Sequence, residues 1–137
     1  MQTPLTSNLA SLLLRLGFGL YLLLGHGWSK VIKLFSGGEI QFTDLFGLSP
    51  ELNLGFTAFA EAFCALMVVI GFRTRLFVWP IILVMFVIVA FVKVDAGWVG
   101  SNSRELAMMY LIPFIAIFIL GSGKYSVDHL LESRKIV

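Results

Sequence analysis

Hydrophobic positions dominate four stretches of the chain, and polar positions collect between them. The apolar runs cover about Leu9–Trp28, Leu52–Gly71, Leu76–Val94 and Ser103–Gly121. Each is close to the roughly 20 residues a helix needs to cross a hydrocarbon layer about 30 Å thick. The pattern predicts an all-α integral membrane bundle of four transmembrane helices, one domain over 1–137. A long loop, 29–51, caps it between the first two helices, and a tail, 122–137, follows the last. Local signals agree with these ends. Thr6, Ser7 and Asn8 precede the first run and can cap its free amides. Ser49-Pro50-Glu51 opens the second with a capping hydroxyl, a proline at the first helical position and an acid in the first turn. Gly71 closes it. Pro80 lies near the start of the third run, Pro113 within the fourth, and Gly121-Ser122-Gly123 ends the fourth. The loop carries Gly37-Gly38 and apolar residues from Val31 and Ile32 to Leu45 and Phe46, so it is expected to fold over the bundle mouth.

Polar residues inside the runs change the picture. At about 100° per residue, Ser11, Arg15, Gly19, Leu22, His26 and Lys30 share one face of the first helix. Gly19 on that face lets a neighbouring helix or a flat ligand come close. Arg15, Glu61 and Glu105 are charged, and a charge in hydrocarbon costs roughly 2.5–3.5 kcal/mol on insertion scales. Arg15 lies about 9 Å into its run and can extend toward head groups. Glu61 lies about 12 Å into its own and is too short to reach a surface. It is therefore protonated or paired, and antiparallel neighbours make Arg15 the expected partner. Glu105, with Arg104, His26 and Lys30, is expected at the outer helix ends as a polar mouth. Against these readings stands a plainer one: the stripe is a packing seam and the outer charges are ordinary helix ends.

Composition narrows the class. Hydrophobic residues make up 58% of the 137 and charged residues 13%, with mean hydropathy +0.94. Soluble domains run near 45–50% apolar and about 25% charged, so a soluble enzyme is excluded. The net charge of +2 gives no reason to expect nucleic acid as a partner. One cysteine, Cys64, forbids an intrachain disulfide and a paired-thiol redox centre. The two histidines, His26 and His129, fall in different segments, so no metal or bis-histidine haem site is expected. No catalytic residue and no intrinsic cofactor is assigned. The first run follows a segment without Lys or Arg and reads as a retained span. Arg73, Arg75, Lys124, Arg134 and Lys135 outnumber Lys30, Lys33, Lys93 and Arg104, which places both termini in the cytoplasm.

The sequence also resembles a known family. Arg15-Leu-Gly-Phe-Gly19 with His26-Gly27-Trp28-Ser29-Lys30 is similar to the first-helix pattern of the DoxX family. Glu61 followed by Gly71-Phe72-Arg73-Thr74-Arg75 resembles its second-helix glutamate and G-x-x-T-R turn. Glu105 and the run Gly121-Ser122-Gly123-Lys124-Tyr125-Ser126-Val127-Asp128 resemble its fourth-helix start and closing G-x-G-x-Y-S-x-D signature. The resemblance spans about Leu12 to Leu131 and implies a four-helix protein of the bacterial inner membrane. Members are associated with quinone-linked oxidoreductases and other redox systems, which implies a quinone ligand and redox or other membrane subunits, or further copies of the chain, as partners. A scaffold without a redox role and a small proton-coupled transporter are the alternatives. The candidate ligand-binding or polar-core residues are Arg15, Gly19, His26, Lys30, Glu61 and Glu105.

Overall fold

The computed structural model describes residues 4–43, 47–93, 95–100 and 103–134. Leu45, Phe46, Val94 and Lys135, used in the readings above, lie outside the described residues. Everything described is helix, turn or irregular chain. Helix α1 (Pro4–Leu22) passes through a π turn (Leu23–Gly27) into α2 (Trp28–Phe35) without a break. Helix α3 (Pro50–Ala58), a second π turn (Phe59–Cys64) and α4 (Ala65–Ile70) form the next rod. Helix α5 (Thr74–Val87) ends in a third π turn (Ile88–Val92). Helix α6 (Glu105–Leu120) is the fourth rod, and α7 (Val127–Arg134) is a short tail helix.

Three rods, Leu5–Phe35, Pro50–Ile70 and Thr74–Val92, are long and apolar enough to cross a membrane. At 16 residues, α6 is shorter. All four supply the core: Leu22, Cys64, Val68, Val78, Ile81, Phe114 and Ile117 are fully buried. The outward faces carry Leu13, Tyr21, Leu24, Phe56, Leu83, Ile112 and Ile119, all exposed. A soluble protein does not present apolar surface on this scale; a lipid-facing bundle does. This is a multi-pass helical membrane protein.

The expected start of the second rod holds, whereas α1 begins at Pro4 and takes Thr6, Ser7 and Asn8 inside the helix instead of using them as its cap. Ser49 Oγ accepts from Leu52 N at 3.4 Å, with Pro50 and Glu51 following as anticipated. Gly71 ends α4 in the left-handed conformation, φ 74°. The first rod does not end where the sequence suggested. It runs on through Ser29 and Lys30 to Phe35, so the loop is 36–49 rather than 29–51. Ser29 Oγ donates back to His26 O at 2.9 Å, so its hydroxyl finds a partner within the helix, which continues past it. The shorter loop is fastened at both ends, by Lys33 Nζ on Gln41 O at 2.7 Å and by Asn53 Nδ2 on Leu48 O at 3.1 Å.

The tail folds across the end of the bundle at which α4 and α6 finish. Asp128 Oδ1 accepts from Arg73 N at 2.8 Å and Oδ2 from Thr74 N at 3.4 Å, capping α5 from 54 residues away. Asp128 N returns a bond to Gly71 O at 3.0 Å. A Cβ on Gly71 would meet the Arg15 guanidinium and come within 2.6 Å of Ser126 Cβ. Gly71→Ala therefore combines a left-handed penalty of about 1–2 kcal/mol with overpacking of about 1–3 kcal/mol. Its unfolding midpoint in a denaturing-detergent titration is expected well below that of the parent; an unchanged midpoint would contradict this account.

Candidate functional site at mid-depth

Glu61 is 2% exposed. It lies eleven residues from Pro50 and ten from Gly71, about 16 Å and 15 Å along the rod, so it sits near the middle of its span. Its position is fixed by contact with the first rod. Gly27 packs its backbone onto the Glu61 carbonyl, and a Cβ there would lie 2.7 Å from Ala62 N. Only glycine allows that approach. One turn further along, Lys30 Nζ reaches the Glu61 carboxylate and forms an ion pair with Oε2. The lysine side chain keeps 21% of its surface exposed while the glutamate keeps 3%.

The pair forms part of the wall of a cavity of about 540 Å³. His26 and Tyr110 stand beside it, their rings edge to face at 5.7 Å between centroids. Glu105 and Lys93 close the mouth, and Leu22, Met85 and Ile88 are among the apolar walls. The first two π turns carry His26 and Glu61 into the cavity, and the third brings Ile88. Such turns recur where a helix is reshaped for a site. Chemically the cavity offers an ammonium donor, a carboxylate acceptor, a phenol and an imidazole within an apolar slot. Among the described residues no group of three His, Cys, Asp or Glu could hold a metal.

The structure separates the sequence candidates into two groups. His26, Lys30, Glu61 and Glu105 line this one cavity. Arg15 and Gly19 do not. The expected Arg15–Glu61 pair is absent: Arg15 is twelve residues before Gly27, about 18 Å further down the helix. It is 1% exposed and donates to Ser122 O and, at 2.6 Å, to Tyr125 O, in the tail turn. Ser11 Oγ donates to Gly121 O at 2.6 Å and Asn8 Oδ1 accepts from Lys124 N at 2.9 Å, so the start of the same stripe grips the tail. Gly19 sets the packing of α1 on α4, where a Cβ would lie 2.7 Å from Val69 Cγ2. Sequence reasoning missed Gly27 and Tyr110 as site residues. Gly27 follows the histidine of the stripe directly. Tyr110 is a hydroxyl-bearing ring inside the apolar fourth run.

A family model described as DoxX matches residues 10–94. The chain belongs to the DoxX family. The match contains Arg15, His26, Gly27, Lys30 and Glu61, hence both halves of the ion pair, but stops before Tyr110 and the tail. Curated proteins and solved structures yield no match to this DoxX chain. Its Glu105 is held at the cavity mouth by Gly100 N, which donates to Oε2 at 3.3 Å. The neighbouring Arg104 donates from Nε to Lys93 O at 2.7 Å and stacks over Trp98 at 4.7 Å. That neighbour is a helix-end fastening, as its position in the sequence suggested.

Proposed function

We propose that this DoxX protein is a quinone-interacting subunit of a membrane redox system. The observation that supports this reading is the mid-depth cavity, in which a paired Lys30 and Glu61, His26 and Tyr110 converge inside apolar walls. A quinone is a flat, oil-soluble carrier of electrons and protons, and it needs an apolar slot with a donor or acceptor near each carbonyl. Lys30 and Tyr110 can donate; Glu61 and His26 can exchange protons. The single cysteine leaves electron supply to a partner subunit, another membrane protein of the same system.

The location is proposed as the bacterial inner membrane with both termini in the cytoplasm. Lys30 is spent inside the bundle, so it no longer counts toward the loop-side charge. Arg73, Arg75, Lys124 and Arg134 then face Lys33, Lys93 and Arg104, which favours the tail side as cytoplasmic. The transporter alternative is less well supported. Between Arg15 and Glu61 the described core is apolar, with Leu22, Cys64, Val68, Val78, Ile81, Phe114 and Ile117 fully buried.

The test is direct binding of a short-chain quinone to the purified protein in detergent. Glu61→Gln and Tyr110→Phe are expected to weaken binding at least about tenfold, the value of roughly 1.4 kcal/mol of lost interaction. Glu51→Gln, exposed at the start of α3, should leave it unchanged. No binding by the parent, or equal binding by all three variants, would overturn the proposal.

A further inference from the structure

A second cavity, of about 330 Å³, lies beside the same ion pair under the 36–49 loop. It shares Lys30, Glu61, Ile88 and Lys93 with the larger one, so the pair stands between the two. Its wall has a polar stripe. Asn53, Thr57 and Glu61 follow one another at steps of four on the second rod and all line this space. They are 6%, 9% and 2% exposed, three buried polar side chains leading from the start of α3 to the middle of the membrane. Thr57 Oγ1 donates to Asn53 O at 2.8 Å, which leaves its oxygen lone pairs as acceptors. Asn53 Nδ2 holds Leu48 O of the loop, which leaves the amide oxygen for another donor. Thr43 of the loop adds a hydroxyl at the rim. The other walls are apolar, Phe56, Leu83, Val84, Val87 and Val92 among them, so polar partners for water, which takes about 30 Å³ and needs two to four of them, lie only along this stripe and at Lys30, Lys93 and Thr43.

We infer that this cavity is a hydrated half-channel through which Glu61 exchanges protons with the aqueous phase on the loop side alone. Its stripe ends at Glu61. Beyond that level the apolar core closes the way to the tail side. Around the carboxylate stand Lys30 from α2, His26 from the first π turn, Tyr110 and Glu105 from α6, and Lys93 after the third π turn. Every charged group facing Glu61 therefore sits at mid-depth or on the loop side. The Arg15 end is separate. This inference does not depend on which ligand enters the larger cavity.

Sided thiol labelling in proteoliposomes tests it. In a Cys64→Ala background, Thr57→Cys and Glu61→Cys are exposed to a membrane-impermeant cationic methanethiosulfonate on one side at a time. Ser36→Cys on the loop and Ser133→Cys on the tail define the two sides. Both cavity cysteines are expected to react from the Ser36 side and at least a hundredfold more slowly from the Ser133 side. Val84→Phe, which fills the cavity from α5, should slow labelling at Glu61→Cys at least tenfold. Thr57→Cys keeps the ion pair intact, so it reports even where Glu61→Cys folds poorly. Labelling of Thr57→Cys from neither side, or of either cysteine from the Ser133 side at a rate within tenfold of that from the Ser36 side, would overturn the inference.

Discussion

Arg15→Leu is expected to lower unfolding stability strongly by releasing the tail side of the bundle. Its guanidinium is buried and bridges two carbonyls, Ser122 O and Tyr125 O, more than a hundred residues away. A hydrogen bond to a charged group contributes about 1.5–3 kcal/mol, so losing both predicts a cost of about 3 kcal/mol or more. The leucine would also leave those carbonyls without a donor at a packed turn. Arg15→Lys should recover only part of the loss, because an ammonium is a point donor and cannot reproduce the planar fork. Asp128→Ala should act in the same direction through the uncapped start of α5, by about 1 kcal/mol. Denaturing-detergent titration of the purified variants measures all three. The reading fails if Arg15→Leu unfolds at the parent's midpoint. It also fails if lysine restores that midpoint fully, since the role assigned to Arg15 is a geometric one. Quinone binding by the folded fraction of Arg15→Lys should be unchanged, because this side chain lies about 18 Å along the helix from Gly27.

That outcome separates two charges which the sequence had joined. The helix count, the caps at Ser49 and Gly71, and the inward stripe were all legible, because periodicity and end signals are local properties of the chain. Ser11, Arg15, Gly19 and Leu22 are buried, and His26 and Lys30 half-buried, as the stripe required. The vertical placement of that stripe was not legible. It depends on where the first helix stops, and Ser29 and Lys30 look like the beginning of a loop. The helix instead continues to Phe35, which sinks Lys30 into the bundle and leaves Arg15 at its tail-side end. Glu61 accordingly takes the lysine. The π turns left no trace in the residue pattern, since they arise from how the rods pack. Tyr110 was hidden because a tyrosine in an apolar run looks like a packing ring until its neighbours are known.

Lys30 and Glu61 should behave as a unit rather than as two separate residues. Removing one partner of a buried pair leaves an uncompensated charge and typically costs about 3–5 kcal/mol. Lys30→Met is thus expected to destabilise strongly, because Glu61 is 2% exposed and would lose the ammonium that pairs with it. Replacing both, as Lys30→Met with Glu61→Leu, should restore much of that loss, since a matched apolar pair in such a setting is often neutral or better. The coupling energy from the double-mutant cycle is expected above about 1 kcal/mol. Additive single effects would show that the two side chains do not depend on one another. The double variant then distinguishes a structural pair from a working one. A pair retained only to set helix register would leave a stable bundle with its ligand affinity intact. If the pair is the polar end of a binding site, the restored bundle binds short-chain quinone at least tenfold more weakly than the parent, although it is comparably folded. Stability therefore recovers on going from the single to the double substitution while binding stays below that of the parent, a result that general damage to the fold does not produce.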